Sequence, residues 1–311
     1  MLDAIKQRLA WREPLLSLSD ELARRKRAQI IREALGRENR PAAAKTFVFL
    51  SQEFPPQKVG GVGRYIDQLT RALAEQGFNI HVITPAHTDQ TEAPVLENGV
   101  WVHRIRVRAS STPKDLNVPP HIWSHSRSML EEIRRLSNVR PVDCVYAPIW
   151  DCEGVAILED GVFPLVTGLQ TMLRFWAPMH PELSGDPAFA DGFLKPMQQL
   201  EKRLLTESTG IHAISRAIAR DIAETYDAPI EGEHVRIAPL GLDDWSSQPF
   251  TPAPYPSDAI NLLFVGRLEK RKGVDLLLAI TPELLDAWPS LHIHFVGDDT
   301  LHGPDGRSYR A

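Results

Sequence analysis

The chain has 311 residues, 43% of them hydrophobic and 24% charged, with a formal net charge of −5. These values describe a globular chain too long for one ordinary domain, and the negative charge excludes broad nucleic-acid binding. No run approaches the roughly 18 apolar residues of a membrane span, and no apolar segment behind the basic start marks a secretory signal. The two cysteines, Cys144 and Cys152, are too few for a disulfide framework and lack a metal-site spacing. A reducing, cytoplasmic setting without a metal is the expectation.

Residues 1–45 hold eleven Lys or Arg against six Asp or Glu, much of the excess in Arg24-Arg25-Lys26-Arg27, Arg32, Arg37 and Arg40. Leu22, Ile30, Ile31, Ala34 and Leu35 give a broken helical stripe. Residues 1–44 therefore read as a basic helical leader. It either contacts the inner membrane surface, as basic helices do with anionic headgroups, or packs on its own domain.

Thr46 to Leu50 is a short uncharged strand, followed by Ser51 to Val59 and then Gly60-Gly61-Val62-Gly63. Val62, Ile66, Leu69 and Leu73 lie on one helical stripe, Gly77 closes the helix, and Ile80 to Thr84 is a second strand. The glycines of this βαβ unit let backbone N–H groups approach a ligand. A nicotinamide dinucleotide fingerprint fails here, because its third glycine is Ile66 and no acidic residue ends the second strand.

The alternation continues with a strand at Val100 to Val107, a loop and helix at Val118 to Leu136, and strands at Asp143 to Ala147 and Phe163 to Leu169. Gly210 to Ile214 is another strand, Ser215 an N-cap for a helix through Tyr226, and His234 to Ala238 a further strand. Residues 245–259 are a linker rich in Pro and Ser. Ile260 to Val265 is a buried strand, Val274 to Ile280 begins a helix, and Leu291 to Gly297 is the last strand. Between the first two lies Gly266-Arg267-Leu268-Glu269-Lys270-Arg271-Lys272-Gly273, a basic turn at a helix N-terminus suited to a phosphate.

Ligands of open parallel sheets bind beyond the carboxyl ends of the strands. That rule nominates Gly60, Gly61 and Gly63; Trp150, Asp151 and Glu153; Gln170 and Thr171; Ser215 and Arg216; and Arg267 and Lys272. Trp150, Phe175 and Trp176 either pack under loops or stack on sugars. His81, His103, His212, His292 and His294 fall inside strand patterns without a third metal ligand, and Asp298-Asp299 fits a turn as well as a metal.

The run Glu53-Phe54-Pro55-Pro56, then Gly60-Gly61-Val62-Gly63-Arg64-Tyr65, Leu69, Ala72-Leu73, Gly77 and His81 to Thr84 resembles the opening of family-4 glycosyltransferases. Pro239 to Asp243 is similar to their crossing between domains, and Val265 to Leu268 with Lys272-Gly273 to their diphosphate-binding turn. The resemblance implies a GT-B fold, an α/β class with a Rossmann-like doubly wound parallel sheet in each domain. It implies a retaining transfer of sugar from a nucleotide-diphosphate sugar to a carbohydrate, lipid or small-molecule acceptor hydroxyl, without a metal. Arg267, Lys272 and Gly61 are then donor-diphosphate residues; Gly60, Gly63, Gln170, Asp151 and Glu153 form the acceptor loops. Gln170 departs from the family, which often carries a histidine there; His180 is a candidate substitute.

The expected organisation is a leader 1–44, an acceptor-side domain 45–244, a linker 245–259 and the start of a donor domain at 260–311. The family's catalytic glutamate pair would fall after the last residue, so the 311 residues alone are expected to be inactive, with an exposed sheet edge after Ile260. A non-catalytic acceptor-binding module and a GT-B nucleotide-sugar epimerase are the alternatives.

Overall fold

Strands covered by helices on both faces read as unbroken apolar runs, and the chain places such runs at regular intervals. The computed structural model describes residues 18–36, 44–57, 60–86, 93–244, 246, 249, 259–299 and 307–310. The leader before residue 18, most of the expected linker 245–259, most of the tail after Asp299, and Lys58 and Val59 lie outside the described residues. The chain forms two compact units, Met1–Asp243 and Asp244–Ala311.

In the first unit the basic leader forms helix α1 (Leu18–Leu35). Strands β1 (Thr46–Leu50), β2 (Asn79–Pro85), β3 (Val95–Glu97), β4 (Val100–Ile105), β5 (Cys144–Pro148), β6 (Leu165–Leu169), β7 (Gly210–Ala213) and β8 (Val235–Ile237) make one sheet, in the order β3-β4-β2-β1-β5-β6-β7-β8. All neighbours are parallel except β3 and β4, a hairpin that the hydrophobic pattern alone does not reveal. Its turn holds Asn98 and Gly99, both in the left-handed region that tight hairpin turns require.

Side chains of β1 alternate between two cores, as a period of two demands. Val48 and Leu50 join Ile83, Val145 and Ala147 in the larger cluster, whereas Phe49 joins Val82, Val102 and Tyr146 in the other. Helix α2 (Gly61–Glu75) covers the Phe49 face with Tyr65, Ile66 and Ala74, and the expected stripe members Val62, Leu69 and Leu73 pack at its margin. Helices α3 (Pro120–Ser137), α4 (Val155–Asp160), α5 (Lys195–Glu207) and α6 (Arg216–Tyr226) bury Ile133, Ile157, Leu204 and Ile222 in the larger cluster. Ser215 is the N-cap of α6, accepting the Ile218 N–H at 3.1 Å.

Helix α1, the described part of the leader, packs on its own domain. Ile31 and Leu35 are buried in the larger cluster, so those apolar side chains are not available to a bilayer. Arg27 donates to Glu132 of α3 at 2.7 Å, and Arg135 approaches the same carboxylate at 3.3 Å. His103 Nδ1 lies 2.9 Å from Glu132, and His81 Nδ1 lies 3.0 Å from His103 Nε2. Two histidines that the sequence places inside strands thus form one buried chain ending on an ion pair. Among the described residues no helix is long and apolar enough to cross a membrane.

In the second unit β9 (Ile260–Val265) and β10 (Leu291–Val296) pair in parallel, with helix α7 (Val274–Ala287) between them in the chain. The expected buried strand β9 is instead largely exposed, with Ile260, Leu262, Leu263 and Val265 open to solvent, as is Leu276 of α7.

Burial raises the Glu132 carboxyl, but His103 and then Arg27 outweigh it and hold the group at about 2. A depressed carboxyl stabilises the fold above its unfolded value of 4.5, and that contribution is lost as pH falls through about 2. Glu132→Gln leaves the half-buried Arg27 without this counter-charge, while Arg135 keeps Glu131 at 3.1 Å, and should cost about 3–5 kcal/mol at neutral pH. Thermal unfolding of the variant beside the parent checks this; the gap should narrow towards the acid end of that window.

Candidate active site

The order of the sheet reverses at β1, so the chain leaves β1 and β5 in opposite directions and opens a crevice at their carboxyl ends. Two residues past β1, the Gln52 N–H donates to Glu153 Oε1 at 3.2 Å, and Gln52 Nε2 donates to Asp151 Oδ2 at 3.0 Å. The two strand ends are therefore tied together across the switch point by Asp151 and Glu153. Asp151 and Cys152 have φ of 55° and 51°, left-handed values that cost a non-glycine residue about 1–3 kcal/mol. Surrounding hydrogen bonds hold this turn: Ser126 Oγ donates to Glu153 O at 2.6 Å and accepts from the Ala156 N–H at 2.9 Å.

Burial pushes the Asp151 carboxyl up, against the Gln52 hydrogen bond and the charges of His125 and His121. It pushes Glu153 up as well, against His125 and the Gln52 N–H, and the nearby Asp151 adds to the rise. Glu153 Oε2 and His125 Nε2 are 3.6 Å apart, too far for a hydrogen bond, and both atoms are buried without one.

Gln170 follows β6 and bonds back to the same crevice, its Oε1 accepting the Ile149 N–H at 3.2 Å. Its Nε2 is buried with no hydrogen-bond partner. Glutamine holds this position without offering a proton acceptor of the histidine kind. His180 instead stacks on Trp176 at 4.2 Å, while Phe175 and Trp176 pack on the core.

The loop beyond Gln170 is pinned by a residue that the motifs do not mark. Glu201 Oε1 accepts the Leu173 N–H at 2.9 Å, and the Tyr226 hydroxyl donates to Oε2. Arg174 lies 4.6 Å above the Tyr226 ring and donates to Thr225 O at 2.6 Å. The sequence does hold a signal: Glu201 sits on the α5 stripe of Met197, Leu200 and Leu204, where a carboxylate needs a reason.

The glycine turn has two different characters. The Gly60 N–H donates to the Glu53 carboxylate, and a Cβ on Gly60 would approach that carboxylate to 3.0 Å. Gly61 begins α2, and a Cβ there would meet nothing within 4 Å, so the protein itself does not require glycine. Gly63 is buried within the helix. The α2 N-terminus has no side-chain cap, leaving its first N–H groups for another acceptor. Tyr65 and Tyr146 place their hydroxyls 3.2 and 3.0 Å from His212 Nδ1, and His212 Nε2 donates to Ala238 O at 2.8 Å. This fixes the imidazole tautomer and explains Gly168, where a Cβ would overlap the Tyr146 hydroxyl.

In the second unit the basic turn is registered on β10. The Gly266 N–H donates to Val296 O and the Leu268 N–H to Asp298 O, both at 2.9 Å. Gly273, with φ of 77°, starts α7. Arg267 pairs with Glu269 at 3.2 Å, and Arg271 with the same carboxylate at 2.8 Å. Asp299 accepts the N–H groups of Tyr309 and Arg310. Gly61 belongs to the first unit, Arg267 and Lys272 to the second.

A doubly wound parallel sheet with its polar site at the switch point is the Rossmann-like architecture of GT-B proteins. Sucrose-phosphate synthase from Thermosynechococcus elongatus superposes with a TM-score of 0.62 at 16% identity, over 84% of this chain and 63% of that one. The catalytic domain of starch synthase IV from Arabidopsis thaliana superposes with a TM-score of 0.53 at 13% identity, over 82% and 69%. The pattern of Glycosyltransferase Family 4 matches residues 59–245, more than half of the chain, and the chain belongs to that family. A D-inositol 3-phosphate glycosyltransferase from Kineococcus radiotolerans is 28% identical over 79% of this chain and 57% of its own length. A glycogen synthase from Mycobacterium tuberculosis is 23% identical over 81% and 61%. The chain thus spans about three fifths of these relatives.

Burial pushes the Glu201 carboxyl up to about 7, against hydrogen bonds from Tyr226 and Leu173 and the charge of Arg174, with Asp151 adding to the rise. A raised carboxyl makes the folded state bind more protons, so its contribution is fully present below 4.5 and is lost as pH rises through about 7. Glu201→Gln should remove this dependence. Melting temperatures taken from pH 5 to 8 should fall more steeply for the parent than for the variant.

Proposed function

We propose that the chain carries the acceptor-side unit and the opening of the donor-side unit of a retaining glycosyltransferase that moves a sugar from a nucleotide-diphosphate sugar to an acceptor hydroxyl. The observation that carries this reading is the turn Gly266–Gly273, where Arg267 and Lys272 flank the start of α7 in a family-4 chain. The leaving diphosphate gains negative charge as the glycosidic bond breaks. Fixed cations there stabilise the transition state more than the ground state. In this reading side chains supply the neutralising charge, and no metal is required.

The crevice between β1 and β5 takes the acceptor. Asp151, Glu153 and Gln170 line its floor, and Gly60 and Gly63 form its α2 side, with Gly61 turned to the donor diphosphate. Two relatives indicate how far acceptors range, one named for an inositol phosphate and another for glycogen. Donor diphosphate assists removal of the acceptor proton in such a scheme, so Gln170 in place of a histidine is compatible with turnover.

Arg267→Ala and Lys272→Ala should each lower kcat about a hundredfold in the active enzyme, on the order of 3 kcal/mol in the barrier. Sugar transfer measured by product release is the assay, and full activity in both variants would remove the diphosphate assignment. Gly61→Val should abolish transfer with little change in melting temperature, because space for the side chain exists until a ligand arrives. Loss of the fold in that variant would instead make the turn structural.

A further inference from the structure

A cavity of about 310 Å³ lies outside the crevice, between α2, the segment that follows β1 and the turn of the β3–β4 hairpin. In the order of the sheet, β3 and β4 stand on the far side of β1 from β5, and none of Asp151, Glu153 and Gln170 lines the cavity. Its volume falls at the lower end of the roughly 300–1,000 Å³ of small-molecule sites. One wall is apolar, with Phe54 and Val100 buried and the rings of Pro55 and Pro56 beside them. The rim is polar, with Asp67 and Arg71 from α2 and Glu97 and Asn98 from the hairpin.

One buried side chain fixes the cavity. Arg104 of β4 donates to Pro55 O at 2.8 Å and forks onto both Glu97 oxygens at 2.5 and 3.1 Å, which holds the loop against the hairpin. A site whose walls are held before a ligand arrives loses less entropy on binding. On the α2 side Arg71 Nη2 pairs with Asp67 Oδ2 at 2.9 Å. The rim stays open to a ligand: the Asp67, Arg71 and Glu97 side chains are 22, 35 and 33% exposed, and Asn98 is exposed.

Charge decides the class of ligand. Arg71 is matched by Asp67, and Arg104 by Glu97. Asp243, 4.0 Å from Arg71, is outside the lining. The cavity therefore has no unmatched cation for a phosphate and no unmatched carboxylate for an amine. What the rim offers is carboxylate acceptors, guanidinium donors and an amide that does both, set around an apolar wall. A pyranose ring has the matching surface, with C–H groups on its faces and hydroxyls at its edge that each donate and accept.

We propose that this cavity is a carbohydrate-binding subsite separate from the crevice, taking one uncharged pyranose unit, either a free sugar or one unit of a longer glycan. Binding here requires neither a donor nor turnover, so the site goes beyond the transfer reaction and is tested apart from it.

The test is binding of glucose, mannose, galactose and N-acetylglucosamine, with maltotriose as the longer glycan, to the isotope-labelled full chain. The Asn98 side-chain amide and the Arg71 Nε–H are followed by NMR. At least one of these sugars should shift both signals, with saturation at about millimolar concentration. A shift by a monosaccharide assigns the site to a free sugar, and a shift by maltotriose alone assigns it to a longer glycan. Asn98→Gly, which the left-handed turn accommodates, and Asp67→Asn, which keeps a hydrogen bond to Arg71, are checked for folding by circular dichroism. Each should weaken the binding about fivefold or more, as loss of one hydrogen bond does. Absence of shifts with every sugar overturns the proposal. So do shifts confined to the crevice amides of Gln52 and Gln170, and so does binding left unweakened in both variants. A chain that transfers no sugar yet shows these shifts keeps the subsite and loses only the transferase reading.

Discussion

A carboxylate taken out of water must find protein donors or become protonated, and the carboxyl edge of this sheet is organised around one that finds few. Glu153 accepts the Gln52 N–H just past β1, its own carbonyl accepts from Ser126 of α3, and Ser126 in turn accepts from Ala156 of α4. Through this one residue the central strand, its neighbour and two helices share a fixed point at the place where the strand order reverses. Asp151 owes its left-handed conformation and its position over the crevice to that point. Removing the constraint would leave the switch point as an ordinary pair of loops.

Polar groups elsewhere in the first unit follow the same logic with fuller satisfaction. Glu132 is entirely buried, yet Arg27, Arg135 and His103 surround it, and the group stays ionised. Glu201 has only a backbone N–H and a tyrosine hydroxyl in hydrogen bonds, and burial raises it to about 7. Three buried glutamates in one unit thus occupy three states of compensation. The best-compensated one fastens the leader helix, and the two others border the crevice.

The second unit places its basic turn by backbone alone. Gly266 and Leu268 hydrogen-bond across to Val296 and Asp298, and a Cβ on Gly297 would overlap the Gly266 carbonyl. Such close registration gives Arg267 and Lys272 a defined base from two strands and one helix. Gly273 closes the turn with a φ of 77°, which glycine adopts without strain.

Most strands of the sheet and helices α2, α3 and α6 were legible in the sequence, because a parallel strand with two covered faces must be a continuous apolar run and an amphipathic helix must repeat near 3.6 residues; the hairpin strand β3 and helices α4 and α5 were not. The strand ends were legible for the same reason, and with them Gly60, Asp151, Glu153, Gln170 and the basic turn. What those side chains do there was not. The bond from Gln52 to Asp151, the clash that reserves Gly168 for Tyr146, and the chain from His81 to Arg27 each join residues far apart in sequence, some by about a hundred positions. Local periodicity carries no record of such contacts. The sequence determined most of the segments that become strands and helices and which residues stand at their ends. Only the tertiary structure decided which of those residues meet, because hydrogen bonding and charge compensation depend on distances that folding alone creates.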